Sequence, residues 1–237
     1  MTIFVHAILS LVIILTGTVA DTSSVSRPWF KIPVLDNGTR AKIEENIDII
    51  VSYNEPVERH RIRCFDVSDE GYYLLTFDNS SVSVYDSDFS FICNIIISSS
   101  QQLAVSSYWN SNGYLLIFLH RGLCIIELDT IGNTVEFYDY SALDIEQKNQ
   151  IDDYFMQTTR NINGDKYAVY LSGLEVVSSC AYSSYTKLSK TDIDGNKTIL
   201  YDAGNSKDIL KGIGYLSLIL LISSLSLYRL FSRERVD

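Results

Sequence analysis

Hydrophobic and polar positions divide this chain into three stretches. Met1–Ala20 carries no charged side chain and is dominated by Ile, Leu and Val, and Gly212–Tyr228 is equally free of charge. Between them, apolar residues come in short runs. Tyr72–Phe77, Val82–Tyr85, Phe91–Ile97, Tyr114–Leu119 and Leu123–Leu128 are rich in β-branched and aromatic residues. Asp, Asn, Ser and Gly separate them, which is the pattern of strands joined by tight turns.

The strands repeat. Gly71-Tyr72-Tyr73-Leu74-Leu75 returns 42 residues later as Gly113-Tyr114-Leu115-Leu116-Ile117, and each copy is followed by a second strand and a turn. A third unit begins near Gly164 with Tyr167–Tyr170 and ends in Lys187–Tyr201. The turns Asp129-Thr130-Ile131-Gly132-Asn133 and Asp192-Ile193-Asp194-Gly195-Asn196 match position for position. In such a turn the Asp side chain bonds forward to the backbone, and Gly takes the left-handed position. A period of about 40–45 residues with four short strands is the spacing of a propeller blade. Three units are fewer than a closed propeller requires. Ile47–Tyr53 is a candidate part of a further blade, and Ser141–Gln157 reads as a short helix capped by Ser141 or as a mobile loop.

The apolar ends give an address. Gly212–Tyr228 is followed by Arg229, Arg233 and Arg235, and Ile209 and Leu210 lengthen it if Lys211 extends its ammonium to the interface. The arginines favour a cytoplasmic tail, although Arg27, Lys31, Lys207 and Lys211 count the other way. Ile3–Leu15 has the length of a signal-peptide core, and Thr18-Val19-Ala20 suits cleavage before Asp21. The first basic residue is Arg27, so an uncleaved anchor is the alternative. The prediction is therefore an all-β protein of antiparallel four-stranded blade-like repeats, partial or propeller-like, over 28–205. Around it stand a signal peptide or N-terminal hydrophobic anchor helix at 1–20 and a leader at 21–27. A C-terminal transmembrane helix at 209–228 and a cytoplasmic tail at 229–237 complete the chain, and the main domain is expected to be extracytoplasmic.

Charge narrows the partners. Residues 21–210 hold 15 Lys and Arg against 27 Asp and Glu. That balance argues against nucleic acid, which needs basic surface. Membrane lipid, through the C-terminal helix, and a protein partner or second copy of the chain remain as expected partners. Arg59-His60-Arg61-Ile62-Arg63 is the one basic cluster. As a strand it sets Arg61 and Arg63 on one face and Ile62 and Cys64 on the other. It reads as a solvated face or as a contact for an anionic partner.

Catalytic and metal patterns are missing. His6 lies in the apolar leader, and His60 and His120 lack ligand-spaced neighbours. No Gly-x-Ser-x-Gly elbow, P-loop or dinucleotide fingerprint occurs. Asp192-x-Asp194-Gly195 invites a calcium reading, but the glycine and the missing bidentate Glu do not fit the loop that binds calcium. No catalytic, cofactor-binding or metal residue is assigned, and no cofactor is expected. Cys64, Cys93, Cys124 and Cys180 read as small hydrophobes, with two disulfides as the alternative. The three sequons at Asn37, Asn79 and Asn196 are about what composition alone supplies. The sixteen tyrosines suit strands, with sugar stacking as a second use.

Several segments carry a family likeness. They are Cys64–Gly71 with Val82–Asp86, Tyr108-Trp109-Asn110 with Leu115–Phe118, and Ser184–Leu188 running into Asp192–Asp202. Together they resemble an uncharacterised family of membrane-anchored, β-propeller-like extracytoplasmic proteins from Gram-positive bacteria. The resemblance spans roughly Ile62–Asn205 and departs around Leu143–Asn161. It implies a compartment and a shape, and it transfers no site residue.

The leading functional expectation is a non-enzymatic interaction or sensory module outside the membrane. The alternatives are an extracytoplasmic hydrolase acting on cell-surface polymer and a structural subunit that completes a propeller with a partner chain.

Overall fold

The computed structural model describes residues 26–28, 30–99, 104–121, 124–171 and 184–204, with 213–214, 217–218 and 220–224 near the C-terminus. The expected leader at 1–20 lies outside the described residues, as do most of the expected span at 209–228 and the tail. The described C-terminal residues are helical, and Ser217 and Ser224 donate to the carbonyls of Ile213 and Leu221. Among the described residues no helix is long and apolar enough to cross a membrane.

Residues 22–170 and 184–203 form one compact unit of three antiparallel sheets. Helix α1 (Asn37–Asn46) leads into β1 (Ile47–Ser52). The first sheet is β2 (Ile62–Val67), β3 (Tyr73–Phe77), β4 (Ser81–Tyr85) and β5 (Phe91–Ser99), in that order. The second is β6 (Val105–Trp109), β7 (Leu115–Leu119), β8 (Cys124–Leu128) and β9 (Thr134–Asp139). After a 3-10 turn (Tyr140–Ala142) and helix α2 (Ile145–Met156) comes the third: β10 (Thr159–Ile162), β11 (Asp165–Tyr170), β12 (Lys187–Thr191) and β13 (Lys197–Asp202). Each sheet contains a four-stranded meander, as the repeat predicts.

Two expectations change. Ile47–Ser52 starts no new blade: β1 pairs antiparallel with β5, from Ile47 opposite Ser99 to Ser52 opposite Asn94, as a fifth strand of the first sheet. Pro33–Leu35 edges the second sheet in the same way, through Leu35 N–H to Phe137 O at 2.9 Å and Asp139 N–H to Pro33 O at 2.9 Å. An exposed strand edge is a template for stray pairing, and both added segments cover one. Second, Ser141–Gln157 holds the end of the 3-10 turn and then helix α2, which is capped by Asp144 rather than by Ser141. The Asp144 carboxylate accepts from Gln147 N–H at 2.8 Å, and the Gln147 side chain accepts from Asp144 N–H at 3.0 Å. This reciprocal capping box satisfies two helix-start donors. Ile151, Tyr154 and Phe155 then bury one face of α2 against Tyr108, Phe118 and Ile125 of the second sheet.

The matched turns are alike to the atom. Asp129 Oδ1 accepts from Asn133 N–H at 2.8 Å, and Asp192 Oδ1 from Asn196 N–H at 2.8 Å. Gly132 and Gly195 take φ of 90° and 84°, where a side chain is strained. The same five-residue turn recurs at Asp86–Ser90 and Asn110–Tyr114, with Phe89 at φ 61° in the glycine position and stacked on Tyr85.

Three apolar clusters hold the unit. Val82, Val84 and Ile95 of the first sheet meet Ile117, Ile126 and Leu128 of the second. The opposite face of the first sheet, with Phe65, Tyr73 and Leu75, meets Tyr167, Val169, Leu188 and Tyr201 of the third. The first sheet therefore sits between the other two, while α2 covers the second sheet's far face. Cys64, Cys93 and Cys124 are buried and free, as small hydrophobes, and burial pushes the Cys93 and Cys124 thiols up to about 11. Cys180 lies outside the described residues.

Candidate binding pocket

Two buried polar groups of the first sheet stand out, because a buried polar atom costs free energy unless it is hydrogen-bonded. One is Asp66 in β2, with no exposed surface. Its Oδ1 accepts from Tyr154 Oη of α2 at 2.6 Å and lies 3.5 Å from Arg160 Nε of β10. Its Oδ2 accepts from Trp109 N–H of β6 at 2.9 Å and lies 3.2 Å from Arg27 Nε. Arg160 lies 3.7 Å over the Tyr154 ring, donates to the carbonyls of Tyr154 and Phe65, and bonds Gln157. Arg27 Nη2 donates to Val67 O at 2.8 Å. One carboxylate thus ties together all three sheets, α2 and the entering N-terminal segment. Both its oxygens are occupied and the surrounding elements close over it, so Asp66 joins elements, although Arg160 Nε and Trp109 Nε1 are buried without a hydrogen-bond partner among the described residues.

The other group is Asn94 in β5, 5% exposed. Its Oδ1 accepts from Ser83 Oγ at 2.9 Å, and no bond from Nδ2 accompanies it among the described residues. Asn94 lines a pocket of about 190 Å³ bounded by β3, β4 and β5 of the first sheet and by β13. Strand alternation builds one wall: Ser81, Ser83 and Tyr85 share a face of β4, while Val82 and Val84 enter the core on the other. Phe77 and Tyr201 supply aromatic surface, with ring centroids 5.6 Å apart. The 55–60 loop closes the side with Glu55, Glu58, Arg59 and His60. Burial pushes the Tyr85 phenol up to about 12.

The basic cluster divides at this wall. Arg59 lies 5.6 Å over the Tyr201 ring and donates to Asp202 O at 3.1 Å. His60 Nδ1 is 3.8 Å from Asp78, and His60 O accepts from Tyr201 Oη at 2.7 Å. Ile62 and Cys64 are both buried and Arg63 is exposed, but a bulge between Ile62 and Cys64 breaks the expected alternation: Ile62 packs with Phe65 toward the third sheet, and Cys64 packs with Tyr108 and Phe118 on the other face. His120 stands apart, on Ser106 Oγ at 3.1 Å and edge-on to Tyr140. At Asp192 both carboxylate oxygens are taken by the turn itself, which supports a hairpin over calcium there. Among the described residues no three His, Cys, Asp or Glu side chains converge on a metal position. The sequence reading missed Asn94, Ser81 and Ser83. Their signals were a carboxamide inside the apolar run Phe91–Ile97 and the alternation Ser81-x-Ser83-x-Tyr85.

No family model matches the chain, and no curated protein does. The family resemblance of the sequence therefore stands on its motifs alone. Solved structures that the chain matches include a protein of unknown function from Bacteroides caccae, at 15% identity and TM-score 0.28, over 63% of this chain and 51% of that one. A streptogramin B lyase matches at 15% identity and TM-score 0.27, over 68% of this chain and 46% of that one. The chain spans about half the length of each. At these scores the architecture rests on the sheets themselves.

Proposed function

We propose that this chain is a binding module of propeller-like build, held outside a membrane by its C-terminal segment, with the Asn94 pocket as its ligand site. Asn94 carries the reading. A carboxamide this deeply buried in a packed protein, with a free donor at a pocket, suits a site completed by a ligand. The anchor and orientation rest on the uncharged run Gly212–Tyr228 and the arginines after it.

A hydrolase is the weaker reading. Hydrolysis by a carboxylate pair needs the two acids on opposite sides of the scissile bond. Glu55 and Glu58 line the same pocket, but both are exposed and both come from one loop. Their placement suits hydrogen bonding at the rim.

The test is a fluorinated-fragment screen by NMR on the full-length protein in detergent micelles, repeated with Asn94→Leu. Hits that compete with one another and disappear in the variant support the reading. A screen whose hits are all indifferent to Asn94→Leu overturns it.

A further inference from the structure

We infer that the Asn94 pocket takes a neutral sugar ring, either a free monosaccharide or the terminal ring of a glycan. This rests on the pocket being a ligand site, as proposed above, and adds the ligand's chemistry. Four observations point the same way.

First, the lining mixes donors and acceptors at close quarters. Arg59, the Tyr85 hydroxyl and the unbonded Asn94 amide can donate, while Glu55 and Glu58 can accept. Hydroxyl groups do both, so a polyol can meet such a wall at every position. Second, the charges oppose one another. A phosphate or sugar acid drawn by Arg59 would face Glu55 and Glu58, and an amine drawn by those acids would face Arg59. A neutral ligand avoids both penalties. Third, Phe77, Tyr201, Ile96 and Pro56 add apolar surface to the same pocket, which suits the C–H face of a sugar ring. Fourth, about 190 Å³ is room for roughly six waters at ~30 Å³ each. That is the scale of one ring, and below the ~300–1,000 Å³ typical of sites for drug-sized ligands.

The test titrates the full-length protein in micelles with the methyl glycosides of glucose, galactose, mannose and N-acetylglucosamine, and with glucuronate and glucosamine, following saturation-transfer NMR. At least one neutral glycoside should bind saturably in the millimolar range. Asn94→Leu and Arg59→Ala should each weaken it about tenfold, the loss of one good hydrogen bond. Arg59 is on the surface, so its variant reports on the pocket without threatening the core. A trisaccharide bound as tightly as its own methyl glycoside identifies a glycan end, and weaker binding identifies the free sugar; either supports the inference. Preferred binding of glucuronate or glucosamine overturns it. So does the absence of any sugar binding while fragments still occupy the pocket, a result that leaves the binding-module reading standing.

Discussion

Asp66 and Asn94 are both buried polar residues of the first sheet, and their surroundings differ in one respect. Asp66 meets a partner at each oxygen, drawn from two other sheets, helix α2 and the N-terminal segment. Asn94 meets Ser83 on one side and an open pocket on the other. Burial alone therefore does not mark a functional group. Arg160 Nε and Trp109 Nε1 are buried beside Asp66 without a hydrogen-bond partner among the described residues, so the contrast lies in the open pocket next to Asn94 and the packed elements around Asp66.

The largest effect should come from breaking the joint. Asp66→Ala leaves Arg160 and Arg27 without their shared carboxylate, and removing one partner of a buried ion pair costs about 3–5 kcal/mol. Denaturant unfolding of the full-length protein measures it. A loss below about 1 kcal/mol would erase the contrast between the two sites.

The same opposition of filled and open surroundings recurs in the matched turns. A Cβ on Gly132 would come within 2.7 Å of Val51 Cγ2, whereas one on Gly195 would meet nothing within 4 Å. Both substitutions carry left-handed backbone strain of about 1 kcal/mol, and Gly132→Ala adds about 1–3 kcal/mol of overpacking. Equal midpoints for the two alanine variants would show that β1 yields freely to the turn.

Asn94→Leu should change stability by less than about 1 kcal/mol in either direction, because it loses one hydrogen bond from Ser83 and gains apolar volume at the pocket. A loss like that of Asp66→Ala would make Asn94 a second joint. The smallest effect concerns His120. Burial holds its imidazole below the ordinary 6.5, against a smaller upward pull from Asp152. A group that resists protonation when folded adds stability fully above 6.5, and that stability declines as pH falls through 6.5 toward the folded value. Thermal melts between pH 7 and pH 5 should show this slope, and His120→Gln should flatten it.

Local chemistry was legible and distant pairing was not. The strands around Leu74, Leu116 and Leu188 and the Asp129 and Asp192 turns follow from alternation and from φ, which neighbouring residues decide. The repeat places a turn after Asp86, but its likeness to the Asp129 and Asp192 turns is hidden because Phe89 occupies the glycine position, supported by its stacking on Tyr85. The edge role of Ile47–Ser52 depends on β5, and the partners of Asp66 run from Arg27 to Arg160. Nothing in Cys64-Phe65-Asp66-Val67 distinguishes that acid from a surface one. Asn94 is the intermediate case, since its place inside an apolar run was visible, while the space beside it is a property of the third sheet's approach.

The most direct measurement is amide shift mapping of the isotope-labelled full-length protein during titration with the strongest binder from the fragment and sugar series. The account predicts saturating shifts at 55–60, 79–85, 94–96 and 201, with Asp66, Trp109, Tyr154 and Arg160 unmoved. Shifts centred on Asp66 and its partners, with the Asn94 wall silent, would contradict it.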